Sequence, residues 1–117
     1  MADACACNEI TTMVFACSGG SDVGGLSDRV ARKLARDGKA KMYCLAGVGA
    51  GLPNMVSAAG AVKKRIVIDG CPVNCARKIM EKAGLTAEFH NLKDLGFEKG
   101  KSQVDDTVVS GIAEKIA

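Results

Sequence analysis

Residues 66–76 read IVIDGCPVNCA: an apolar, β-branched run that breaks at Asp69-Gly70 and then places Cys71 and Cys75 four residues apart. A continuous run of this kind suits a strand covered on both faces, and Asp-Gly ends it. Two shorter runs also finish at a cysteine, MVFAC at 13–17 and KMYC at 41–44. Cys17, Cys44 and Cys71 are separated by 27 residues each, enough for a helical crossover between parallel strands. The predicted fold is therefore α/β: a small parallel sheet of about four strands with helices on both faces, a three-layer sandwich of the Rossmann or flavodoxin kind.

The intervening segments agree with this reading. SDRVARKLARDG at 27–38 has an apolar stripe of Val30, Ala31, Leu34 and Ala35, with Ser27 as its expected N-cap and Gly38 as its stop. A second helix is expected near 53–62, beginning at Pro53, and a third from Asn74 through ARKIMEK to Ala83. AEFHNL at 87–92 reads as a fourth strand and 93–103 as a loop. The last helix carries Val104, Val108, Val109, Ile112, Ala113 and Ile116, with Asp105 and Asp106 in its first turn.

A chain of 117 residues is sized for one domain, expected over 13–117 behind a flexible tail at 1–12. A formal charge of +3 and only 3% aromatic residues argue against nucleic acid as a partner, since both the basic field and the stacking surfaces are small. The uncharged stretch 42–62 is broken by Pro53, Asn54 and four glycines, which excludes a membrane span from the reading. MADACACNEITT has no basic segment followed by an apolar one, so it is not read as a signal peptide and a cytoplasmic location is expected. Cysteines in a reducing compartment bind metal or do thiol chemistry more often than they form structural disulfides.

Parallel α/β sheets place their sites at the carboxyl ends of strands where the strand order reverses, the edge at which Cys17, Cys44 and Cys71 should project. Cys75, across the strand-to-helix turn from Cys71, adds a fourth thiol. Tetrahedral zinc takes thiolates at about 2.3 Å, and three strand ends with one helix start are suited to holding four of them. The partial positive charge of the helix N-terminus would offset thiolate charge and lower the pKa of Cys75, with Arg77 and Lys78 close in sequence. Asp69 is expected either to support a ligand or to cap the turn.

CSGGSDVGGLS, after the first strand, lacks the Lys-Ser/Thr ending of a P-loop. In GVGAG at 47–51, Leu52 stands where the dinucleotide fingerprint needs its last glycine. The glycines are better read as letting two loops pack closely around the sulfurs. His90, the single histidine, is expected to be structural, and Met13, Met42, Met55 and Met80 to fill the core.

Taken together, ACSGGSDVGGLSDRVARKLARDG, MYCLAGVGAG, IVIDGCPVNCA and NLKDLGFEK resemble the DGC-domain family, named for the Asp-Gly-Cys found here at Asp69, Gly70 and Cys71. The likeness extends over roughly residues 13–100. The resemblance implies zinc bound by Cys17, Cys44, Cys71 and Cys75, the set already selected by spacing, and implies no particular reaction. A closed four-sulfur site points to a structural or metal- and sulfur-handling role. The alternative is a thiol-dependent redox or sulfur-transfer enzyme in which Cys71 or Cys75 attacks and another cysteine, such as Cys5 or Cys7, resolves the intermediate. An iron–sulfur cluster is a third use for four thiolates. Whether the chain is an enzyme, and which protein it meets, stay open at this level.

Overall fold

The computed structural model describes residues 11–117, so Cys5, Cys7 and most of the expected tail lie outside the described residues. Four strands form one sheet: β1 (Thr12–Ala16), β2 (Lys41–Met42), β3 (Lys64–Asp69) and β4 (Glu88–Asn91). Their spatial order is β2-β1-β3-β4 and every pairing is parallel. Helices α1 (Asp22–Arg36), α2 (Leu45–Gly49), α3 (Pro53–Ala61), α4 (Cys75–Lys82) and α5 (Asp106–Ile116) cover it, with a 3₁₀ turn at Leu92–Leu95. No described helix is long and apolar enough to cross a membrane.

The two-residue alternation of the central strands divides the core. Val14, Ala16, Ile66 and Ile68 face one side, where α1 and α5 bury Leu26, Val30, Leu34, Val109, Ile112 and Ile116 against them. Met13, Phe15 and Val67 face the other and meet Val48, Ala59, Ala76 and Met80 of α2, α3 and α4. The sandwich thus has the three layers its sequence predicts. Met13 and Met80 are core residues as expected.

Several boundaries differ from the sequence reading. α1 begins at Asp22, not after Ser27, because Ser21 is the N-cap and accepts from the Gly24 amide at 3.2 Å. Gly24 and Gly25, which weaken a helical pattern in sequence, are carried inside the helix by the apolar face that follows. Cys44 occupies the N-cap position of α2 without a side-chain capping bond, and Gly47 and Gly49 conceal this short helix from pattern reading. β3 stops at Asp69, two residues before Cys71. The segment expected as a plain loop after residue 92 opens with the 3₁₀ turn.

Asp22 also clasps a distant loop. Its carboxylate accepts from the amides of Gly100 and Ser102, each at 2.9 Å. The Gly100 amide, then that of Ser102, hold this carboxyl below its ordinary value of 3.8, with the Val23 amide helping against a smaller opposing cost of desolvation. A depressed folded-state pKa means the clasp stabilises above the unfolded value and is lost as pH falls through the folded one. Hydrogen exchange at Gly100 and Ser102 is therefore expected to accelerate as pH drops below 3.8, after correction for the intrinsic rate, and Asp22→Asn should remove that dependence. Unchanged protection in acid would refute the clasp.

Candidate functional site

The strand order reverses between β1 and β3, since α1 leaves β1 over one face and α4 leaves β3 over the other. Parallel pairing runs through Ala16↔Ile68, and the Cys17 amide extends the ladder by donating to the Ile68 carbonyl at 3.0 Å. Cys17 therefore emerges at the crevice where such folds place their ligands.

The sulfur of Cys17 has two polar neighbours. The Gly70 amide donates to it at 3.4 Å, and the Ser27 hydroxyl lies 3.1 Å away. Ser27 is fully buried, donates to the Gly24 carbonyl at 2.8 Å and accepts from the Ser18 amide at 3.3 Å. A hydroxyl has one proton. With that proton on Gly24, Ser27 is an acceptor for Cys17, which is then a protonated thiol. Turned toward the sulfur, the same hydroxyl would join Gly70 in stabilising a thiolate. Sequence reasoning missed Ser27 in this role because it took the residue for a helix cap. Its position just ahead of the apolar stripe of Val30, Ala31 and Leu34 gave no sign of it; only the earlier helix start turns it inward toward Cys17.

Glycines bring the two loops of the crevice together. A Cβ on Gly70 would sit 2.5 Å from the Val23 carbonyl oxygen, and one on Gly24 would collide with the Gly19 carbonyl. Backbone thus lies directly on backbone here, whereas Gly47 and Gly49 of the second glycine-rich stretch face the Met55 and Ile79 side chains, so the expected packing of two glycine-rich loops is seen only in the first of them. Ser18 and Asn74, with φ of 52° and 60°, adopt left-handed conformations just after β1 and just before α4. Such values cost side-chain-bearing residues strain and concentrate where the chain must turn sharply at sites.

On the β3 side, Asp69 is almost fully buried and accepts from the Ala76 and Arg77 amides at 2.8 and 2.9 Å. It caps α4 in place of Asn74, whose side chain makes no capping bond. Of the two roles predicted for Asp69, capping is the one its contacts show. Asn91 at the end of β4 secures the same turn, donating to the Cys71 carbonyl and to the Asn74 side chain, each at 2.8 Å. The NLKDLG stretch carried this residue, but nothing in its spacing tied it to Cys71.

The four cysteines among the described residues, Cys17, Cys44, Cys71 and Cys75, are free thiols at the carboxyl edge. Cys17 and Cys71 are half-buried, but Cys17 rests on the α2–α4 side of the core and Cys71 on the α1–α5 side. Cys44, at the N-cap position of α2, and Cys75, as the first residue of α4, are exposed. Among the described residues, no three His, Cys, Asp or Glu side chains are gathered to hold a metal ion. The fold brings the thiol-bearing segments to one edge without gathering three of their sulfurs at one point. His90, in β4, has its Nε2 2.9 Å from Glu88.

The profile of the DGC domain matches residues 13–116. The chain belongs to the DGC domain family. It is also 34% identical over 88 residues to the anaerobic and virulence modulator AnvM of Pseudomonas aeruginosa, a match covering 74% of this chain and 67% of that protein. No solved structure matches the chain. As a DGC domain, the chain has its name-giving Asp69-Gly70-Cys71 at the crevice, and each residue has a separate task. Asp69 caps α4, Gly70 approaches α1 and donates to Cys17, and Cys71 presents a thiol.

Proposed function

We propose that this DGC domain binds one zinc ion reversibly through Cys17, Cys44, Cys71 and Cys75, as a metal- or sulfur-handling protein whose fold stands without the ion. The chemistry of the donor set fits zinc: four thiols at one edge of the sheet make a soft set. The carrying observation is the division into two half-buried thiols, one directly after β1 and one two residues past β3, and two exposed ones at helix starts. Such an arrangement leaves Cys44 and Cys75 able to close on the ion as it arrives. The fully buried residues of both core faces include no cysteine, and Cys17 and Cys71 pack only against their margins, which supports a ligand role over a structural one. Bound there, zinc would cross-link the ends of β1, β2 and β3. The relative AnvM is named a modulator, and a domain that changes with its metal load is suited to that kind of role.

Metal analysis of the untagged chain after zinc reconstitution and desalting is expected to give close to one zinc per chain. Cys71→Ser/Cys75→Ser should lose most of it. Stripping by a chelator should lower the melting temperature by only a few degrees, unlike a zinc-finger domain, which unfolds. No retained zinc in the wild type, or full retention in the double variant, would overturn the reading.

The pair of polar groups on Cys17 favours a second reading, thiol chemistry with Cys17 as the stabilised nucleophile. It takes the lead if the wild type holds no zinc and Cys17 is alkylated faster than the exposed Cys44 and Cys75 near neutral pH.

A further inference from the structure

We infer that a recess between the start of α4 and the end of β4 binds a small tetrahedral oxyanion at a site separate from the thiols. The recess has a volume of about 290 Å³, near the lower limit for small-molecule sites. Three elements bring positive or positively chargeable side chains to it: Arg77 from α4, His90 from β4 and Lys93 from the 3₁₀ turn. Asp94 is the one carboxylate in its lining.

The walls are pre-arranged. The Arg77 guanidinium lies over the Phe89 ring at 4.7 Å from its centroid, and its Nε is 3.3 Å from Glu81. Held from two directions, it loses less freedom on meeting a ligand, and its planar fork matches two oxygens of an anion. Lys93 enters from a different element and supplies a point charge toward further oxygens outside that plane. The Asn91 side chain forms a fixed floor. Its amide nitrogen bonds Cys71 and Asn74, and its oxygen accepts from the Lys93 amide at 2.9 Å. An inorganic oxyanion does not fill the recess, so the space also admits such a group at the end of a small molecule.

Pro72 and Asn74, inside the turn that joins Cys71 to Cys75, make the near wall. An anion held here would therefore lie beside the thiol-bearing turn without using its sulfurs.

The test is titration of the full chain with inorganic phosphate, thiosulfate and glycerol 3-phosphate, followed by amide chemical shifts. Saturable binding is expected, with a dissociation constant of about 1 mM or tighter and the largest shifts at Arg77, Asn91 and Lys93. Equal affinity for all three probes assigns the site to free oxyanions; preference for the ester assigns it to a phosphorylated small molecule. Arg77→Gln/Lys93→Gln should weaken binding about tenfold or more, while Asp94→Asn, which removes the opposing charge, should tighten it. A melting temperature close to wild type shows that the variants fold, and their zinc content, measured in parallel, should not change. Absence of saturation in the wild type, or equal binding by the double variant, overturns the site whatever the outcome for zinc.

Discussion

Gly70→Ala is expected to destabilise the protein by about 3 kcal/mol, the upper part of the range for overpacking. The added methyl would lie 2.5 Å from the Val23 carbonyl oxygen, 2.6 Å from its carbon and 2.8 Å from the Gly24 nitrogen. All three are backbone atoms of the first turn of α1, so no side chain can rotate away. Relief would require the β3–α4 loop and α1 to separate, and that movement would carry the Gly70 amide off the Cys17 sulfur. The entropy gained by replacing glycine in the unfolded chain, about 0.4–1 kcal/mol, is too small to offset the clash. Urea unfolding should show the loss, with a fall in melting temperature of roughly 10 °C. Gly25→Ala, in the same helix with nothing within 4 Å of the added carbon, is the control and should be neutral or slightly stabilising. Equal stability of Gly70→Ala and wild type would contradict the close approach of the loops.

Asp69→Ala is expected to cost a similar amount, about 3 kcal/mol, through a different cause. The carboxylate is 3% exposed and satisfies the Ala76 and Arg77 amides from outside the helix. Its removal strands two donors at the start of α4, with Ala76 itself fully buried. Water cannot replace the carboxylate without opening the turn. Exchange at the Ala76 and Arg77 amides should quicken more than exchange in the middle of α1, and Cys75, at the head of α4, should become more reactive. Asp69→Asn should fall between the two, because its single carbonyl oxygen can serve only one of the two amides well. An Asp69→Ala protein with unchanged stability and exchange would show that α4 does not depend on this cap.

The layers of the fold were legible because each central strand is a short apolar run and each crossover has a clear terminus. Val14, Ile66 and Ile68 could be assigned to a buried sheet from pattern alone, as could the stripe of Val30, Ala31 and Leu34. The start of α1 was not legible. Gly24 and Gly25 look like loop residues, and what carries them into the helix is tertiary, namely the packing on the sheet of the apolar face that follows them. That error concealed Ser27. Of the candidate site, the sequence disclosed which segments carry thiols and that they end at one edge. It did not disclose where each sulfur leans, because the two-residue alternation that keeps Cys17 on the face of Met13 and Phe15 is lost at Asp69-Gly70, before Cys71. Cys17 follows β1 directly, whereas Cys71 lies past the Asp69-Gly70 break, and they settle on opposite sides of the core.

The central ladder joins Thr12 to Lys64, partners 52 positions apart in the chain. No hairpin can bring them together, so a large loop must close before this pairing exists, and folds with such remote partners acquire their shape late. The surroundings of Cys17 are made of atoms from both sides of that closure, Ser27 before it and Gly70 after it. Its sulfur therefore completes its surroundings in two stages, with Ser27 supplied by the neighbouring helix and the Gly70 amide arriving only once that large loop has closed.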